Sequence, residues 1–375
     1  MNIDALLNKI IVSNKGNAFY RLTNADNKSW LIPSKNACSA LLLYQPSSTK
    51  GRVLKKFFPL LCRSYLCRKL IHAEQVKCVL NAELQNLICR IFNVDNFEFA
   101  MFLGTPSVHQ KITLQIFQDK NILGYCKISD SQDVEELFVA EGRMLTYLHD
   151  KGIDNIPHYL FNGNLNGYSV FIQSTVKTSR SAIIHEWSPI HQNFLNDVKC
   201  RTQQDILFEN SDFYRDIIAL KNNLNRLPFS LNVNILRSAI LDIENSLSGK
   251  MAHFCACHGD YTPWNMFVED GSLFVFDWEY AGCSYPPMLD RYHFFLQVAY
   301  FEKHWSPTDV ISYINSDKGS WIDVNMLILY LLSIFSRYVN REKGSVADNA
   351  NPQYFFWNEI LNYSYPRSNF SEFIP

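Results

Sequence analysis

His258-Gly259-Asp260-Tyr261-Thr262-Pro263-Trp264-Asn265, followed by Phe276-Asp277-Trp278-Glu279, is the stretch that decides the fold. Between the two motifs, residues 266–269 and 273–276 are apolar, β-prone runs joined through Asp270-Gly271, the dipeptide that favours a tight hairpin turn. Asn265 and Asp277 therefore stand at the open end of one hairpin, where paired or diagonal positions lie roughly 5–8 Å apart. An acid, an amide five positions on and a second acid twelve beyond that are the groups phosphoryl transfer from a nucleotide requires. Asp260 would accept a hydroxyl proton, while Asn265 and Asp277 would hold magnesium.

The wording of both motifs resembles the aminoglycoside phosphotransferase and choline kinase group, which shares the protein-kinase-like fold. That group writes its catalytic loop His-Gly-Asp with Asn following, and its magnesium motif often reads Asp-Trp-Glu. The resemblance implies an α+β, bilobal fold with a small β-rich N-lobe and a helical C-lobe. It further implies Asp260 as catalytic base, Asn265 and Asp277 as metal ligands, and Glu279 as a further acid at or behind the metal. ATP, with GTP as the alternative donor, and Mg2+ are the cofactors expected. A structural hairpin beside a chance His-Gly-Asp is the bland alternative. A nucleotide-binding but inactive scaffold and a protein kinase are two others. The scaffold is disfavoured because the catalytic set is complete, the protein kinase because no Ala-Pro-Glu segment follows the metal motif.

A smaller lobe must then lie upstream. Residues 111–117 and 122–128 read as two strands about the turn-like 119–121, with Lys127 near the end of the second. Residues 131–150 are helical by spacing, with Val134, Leu137, Phe138, Met144, Leu145 and Leu148 in one stripe and Glu141 in its midst. A carboxylate on a core-facing stripe is costly unless paired, and a strand lysine is the partner this fold uses to hold the α- and β-phosphates. Lys127 and Glu141 are expected to form that pair, against the plainer reading of an edge glutamate and an ordinary strand lysine. In the loop 102–108, Ser107 is a candidate for covering the phosphates, although an ordinary loop with a single glycine fits equally. Residues 168–172 read as a strand and Gln173-Ser174-Thr175 as a polar hinge where backbone groups would meet the base.

From about residue 177 the period becomes helical, with helices expected over 210–224, 234–247, 292–301 and 323–340. The expected organisation is a basic N-terminal module over 1–93, a kinase N-lobe and hinge over 94–176, and a helical C-lobe over 177–366, with a loose tail after Tyr365. Asp290 resembles the acid with which the family braces its catalytic loop, or else caps the helix that follows it.

Composition fits a folded protein: 375 residues, 47% hydrophobic and 14% aromatic, enough for substantial cores. Ten cysteines show no Cys-x-x-Cys pair, as expected of reduced thiols in a cytoplasmic protein. No run approaches the ~20 apolar residues of a membrane span. The net charge of −1 conceals an asymmetry: residues 27–73 contain no acid and nine cations, Lys28, Lys35, Lys50, Arg52, Lys55, Lys56, Arg63, Arg68 and Lys69, so the rest carries ten net negative charges. The mixture of cations and large apolar groups around Phe57 and Leu60 admits peripheral contact with anionic lipid or a phosphorylated acceptor, or a plain solvated face. Nucleic acid is disfavoured, since no binding motif accompanies the charge. The partner expected is a small hydroxyl-bearing acceptor, sugar-like by the surrounding Trp187, Tyr261, Trp264, Trp278, Tyr280 and Tyr285, with aminoglycosides and choline-like amino alcohols as alternatives. Oligomeric state is not legible in the sequence.

Overall fold

Runs of β-prone residues build eight strands in the first half of the chain, with helices of similar total length between them. The computed structural model describes residues 3–24, 26–44, 49–62, 64–228, 230–341 and 352–370. The chain divides into two units, the first comprising residues 1–150, 154–183 and 267–279, the second 151–153, 184–266 and 280–375.

The first unit is organised on one eight-stranded antiparallel sheet. Its strands are β1 (Ile11–Thr23), β2 (Ser29–Pro33), β3 (Glu74–Leu80), β4 (Glu98–Phe102), β5 (Ile112–Gln118), β6 (Asn121–Ser129), β7 (Tyr159–Leu165) and β8 (Tyr168–Ser174). They lie in the order β3-β1-β2-β4-β5-β6-β8-β7. The helices are α1 (Ile3–Ile10), α2 (Ala37–Ala40), α3 (Thr49–Leu61), α4 (Tyr65–Leu70), α5 (Ala82–Phe92) and α6 (Gln132–Asp150).

The two faces of the sheet follow from strand alternation. Leu114, Ile116, Cys126, Ile128, Val170 and Ile172 point to one face, where Leu6, Leu7 and Ile10 of α1 and Leu84, Leu87 and Ile88 of α5 close a common core. On the other face Tyr125 and Lys127 of β6 stand opposite Gln115 and Thr113 of β5 and opposite Gln173 and Phe171 of β8. That face is covered by α6, whose Phe138 stacks on Phe171 with ring centroids 5.6 Å apart, and by the N-terminal segment. Ala37, Ala40, Leu41, Phe58 and Cys62 pack there with Tyr20, Trp30, Ala100 and Phe117.

The stretch expected as a basic N-terminal module contributes three strands to the same sheet and helices to both of its faces. The change in charge near residue 73 marks a surface property; the backbone ladder runs through it. Arg63 and the side chains of Lys50 and Arg52, named in the basic stretch, lie outside the described residues. The expected hinge is also modified, because β8 runs on through Gln173 and Ser174. The hairpin forms as Met266–Glu269 and Ser272–Val275, with Asp270 at φ 48° and Gly271 at φ 81°, both in the left-handed region that a type I′ turn demands.

The second unit is mostly helical. Helices Asp212–Asn222, Val233–Leu247, Leu289–Gln297, Val324–Arg341 and Gln353–Ser364 enclose a core that includes Phe213, Ile217, Leu236, Ile240, Leu331, Phe335 and Trp357. A three-stranded sheet centred on Met251–Cys257 flanks them. The tail expected to be loose is anchored through residue 370: Phe370 packs into this core, and its carbonyl accepts a hydrogen bond from Ser246. Among the described residues no helix is long and apolar enough to cross a membrane.

Candidate active site

In the first unit, Lys127 enters at the end of the β6 ladder and Glu141 from the middle of α6. Lys127 Nζ lies 2.7 Å from both Glu141 Oε1 and Oε2, and 2.6 Å from Asp277 Oδ1. Glu141 is fully buried and Lys127 nearly so, so each charge is tolerated only through its partner. Asp277, in the left-handed region at φ 70°, follows the hairpin directly. Trp278 beside it is pinned by an indole hydrogen bond to the Val275 carbonyl, 3.0 Å.

A second lysine, absent from the set expected, completes this cluster. Lys111 donates to Glu279 and lies 3.7 Å from Asp277 Oδ1. Burial opposes its charge, but the carboxylates of Asp277, Glu279 and Glu141 hold the Lys111 ammonium above the usual lysine range. Burial pushes the Glu279 carboxyl up to about 7 against the pull of Lys111. One oxygen each from Glu141, Asp277 and Glu279 lie within 4.8 Å of one another. Three carboxylates against two ammonium groups leave an excess negative charge in a buried, all-oxygen donor set, the type of site a hard divalent cation such as Mg2+ prefers.

Ser107 sits in an exposed turn between β4 and β5, where its carbonyl accepts from Gln110 N. Among the described residues no contact joins its side chain to the lysine-carboxylate cluster. Gln173 is buried, and its Oε1 has no hydrogen-bond partner among the described residues. A buried acceptor left unsatisfied costs about 1–3 kcal/mol, which makes it a fit for a donor brought by a ligand.

In the second unit, the loop 258–265 leaves the strand Met251–Cys257 and is fixed from several sides. The Asp290 carboxylate accepts from the backbone N–H of His258 at 2.7 Å and of Gly259 at 2.9 Å, which is the bracing expected of it. Gly259 has φ +80°, and a Cβ there would lie 2.4 Å from the Tyr280 carbonyl oxygen, so only glycine is accommodated. The Gly259 carbonyl accepts from the half-buried Arg337. His258 Nδ1 accepts from Asp260 N at 3.1 Å, giving His258 a structural part.

The Asp260 carboxylate is gripped at both oxygens. Oδ1 faces His293 Nε2 at 2.9 Å, and Oδ2 accepts from the Asn265 amide nitrogen at 2.8 Å. That nitrogen also donates to the Asp260 carbonyl, which turns the Asn265 amide oxygen away from Asp260. His293 is buried and meets the Tyr330 hydroxyl through Nδ1 at 3.2 Å. Neither His293 nor Arg337 was among the residues singled out in the sequence. The spacing Asp290-x-x-His293 was a usable signal, since positions three apart share a helix face and Asp290 already pointed to the loop.

The aromatics near the motifs mostly fill core. Tyr261, Trp278 and Tyr285 are buried, which removes them from stacking on an acceptor, while Trp187, Trp264 and Tyr280 keep partial exposure.

A model of a phosphotransferase enzyme family matches residues 200–299, just over a quarter of the chain and the part that holds both motifs, Asp290 and His293. That part of the chain is similar to a family of phosphotransferases. Among solved structures, the chain is similar to aminoglycoside phosphotransferase APH(3'')-Id from Streptomyces rimosus, at 15% identity over 68% of this chain and 97% of that one, with a TM-score of 0.41. It is similar to ADP-bound APH(2'')-Ib at 14% identity over 78% and 100%, with a TM-score of 0.43. A thermostable mutant of APH(4)-Ia is 8% identical over 76% and 98%, with a TM-score of 0.48. Among curated proteins, none matches the sequence.

Proposed function

We propose that this protein transfers the γ-phosphoryl group of ATP, or of GTP, to a hydroxyl of a small sugar-like acceptor such as a glycan precursor. The observation that carries this reading is the Asp260 carboxylate. Within the segment that matches the phosphotransferase family, its two oxygens are separately held by His293 and Asn265, and its side chain remains 31% exposed. A carboxylate so fixed can accept the proton of an attacking hydroxyl without reorienting.

Lys127, aligned by Glu141, would bind the nucleotide phosphates; the unsatisfied Gln173 amide oxygen would meet a donor on the base, and Ser107 would cover the phosphates from its turn. Asp277 and Glu279, with Glu141 beside them, are the hard donors of the first unit that would hold Mg2+. When bound, the ion neutralises charge on the oxygens between the β- and γ-phosphates. Lys111 neutralises Glu279 and keeps the acid cluster compact in the protein alone. Aminoglycosides and amino alcohols are the other acceptors this chemistry serves.

The test is nucleotide turnover with magnesium against a panel of sugars, aminoglycosides and amino alcohols. Acceptor-dependent ADP release is expected, and its loss in Asp277→Ala. Nucleotide binding with no turnover on any acceptor in the panel would favour the inactive scaffold instead.

A further inference from the structure

Helix α3 has two apolar faces, and among the described residues only one of them packs into a core. Phe58 is fully buried and Cys62 nearly so, and both pack against Tyr20, Trp30 and Phe117 of the sheet. This fixes which side of the helix looks outward. On that outer side Val53, Lys56, Phe57 and Leu60 recur at i, i+3, i+4 and i+7, a single stripe. Val53 is 53% exposed, Phe57 46% and Leu60 62%; the patch continues into α4 with Tyr65 at 70% and Leu66 at 71%. Lys56 and Lys69 are exposed on the same two helices, and the Lys56 ammonium lies 5.9 Å from the Phe57 ring centre. An ordinary solvated basic face has no reason to hold five large apolar side chains in water.

We propose that this outward face of α3 and α4 docks on an anionic lipid surface. The occupant follows from charge and shape. Residues 27–73 hold nine cations and no acid, and of these Lys56 and Lys69 stand exposed on the helices that carry the patch. Exposed apolar groups interleaved with lysines on a surface helix insert into the boundary between headgroups and acyl chains while the ammonium groups remain among anionic headgroups. The helix is too short to span, and the contact is peripheral. A protein partner with an acidic rim would match the charge but needs a complementary groove. A bilayer accepts a stripe of exposed apolar side chains without one.

The full chain is tested by co-sedimentation with vesicles of phosphatidylcholine alone and of phosphatidylcholine with about a third phosphatidylglycerol. Binding to the anionic vesicles only is expected, falling as salt screens the lysines. Phe57→Ser with Leu60→Ser should weaken partition at least ~10-fold, since both rings and branches leave the acyl boundary. Lys56→Glu with Lys69→Glu should weaken it by at least roughly fivefold per charge. All four side chains are exposed, so thermal unfolding and nucleotide turnover should match wild type in both double variants. Failure of the wild type to bind anionic vesicles at low salt overturns the proposal, as does equal binding to neutral ones or variants that partition like wild type. Concentration-dependent self-association that Phe57→Ser abolishes would assign the face to a second copy and overturn it as well.

Discussion

Lys127 joins two acids that lie 136 positions apart in the chain: its ammonium is 2.7 Å from Glu141 and 2.6 Å from Asp277. The helix α6 and the turn after the hairpin are thereby tied through one buried cation. Lys127→Ala and Glu141→Ala should each depress phosphoryl transfer, and the double variant should lose little more than the worse single one, because residues that act as a unit give non-additive losses. Kinetics of the three variants checks this; additive losses would show that the pair does not function together.

Lys111→Met leaves the buried Glu279 carboxylate without its nearest cation. Breaking one side of a buried pair costs about 3–5 kcal/mol, and removing both charges costs less. Lys111→Met should therefore unfold at distinctly lower denaturant than the double variant Lys111→Met with Glu279→Gln. Equal midpoints would mean that Glu279 is solvated or protonated without Lys111.

Lys177 supplies a pH dependence. It is buried, donates to the Leu42 carbonyl at 3.2 Å and lies 5.7 Å from the centre of the Phe267 ring. Burial, then repulsion from Lys55, brings its ammonium down to about 7, against about 10.4 in an unfolded chain. Between these values the unfolded chain binds the extra proton, so this residue makes stability rise with pH from about 7 towards 10. Denaturant unfolding of wild type and Lys177→Met at about pH 6 and about pH 9 should show the variant more stable than wild type at the lower pH, with the gap narrowing at the higher. A constant gap would show that Lys177 stays charged throughout.

Deleting residues 1–93 removes β1, β2 and β3 and strips α1 and α5 from the core over Leu114, Ile116 and Cys126. The truncated chain should fail to fold cooperatively, which circular dichroism and a thermal melt would detect. A truncated protein that melts sharply would make the N-terminal segment a separable module after all.

What was legible in the sequence shared one property: the signal was local. The hairpin was written in Asp270-Gly271 and two short apolar runs, and the Lys127–Glu141 contact in a helical stripe interrupted by one carboxylate, 14 positions away. Lys111 was not legible, because its meaning lies in Glu279, 168 positions downstream, and nothing around it departs from an ordinary strand end. The same holds for Arg337, which reaches Gly259 across 78 positions. The run of cations over 27–73 describes what the N-terminal segment shows to solvent, whereas its place in the sheet rests on main-chain pairing, as where Phe19 lies between Pro33 and Val76, and that pairing is not written in charge.

The account rests on Asp260 as the base, and the most direct measurement is single-turnover phosphoryl transfer by Asp260→Asn, alongside its nucleotide affinity, with an acceptor that the wild type uses. Asparagine keeps the shape between His293 and Asn265 and removes the proton acceptor. Transfer should slow by at least ~10²-fold, the usual scale for a positioned base, while nucleotide affinity stays close to wild type. Transfer at the wild-type rate, or a collapse of nucleotide affinity equal to the loss in rate, would contradict it.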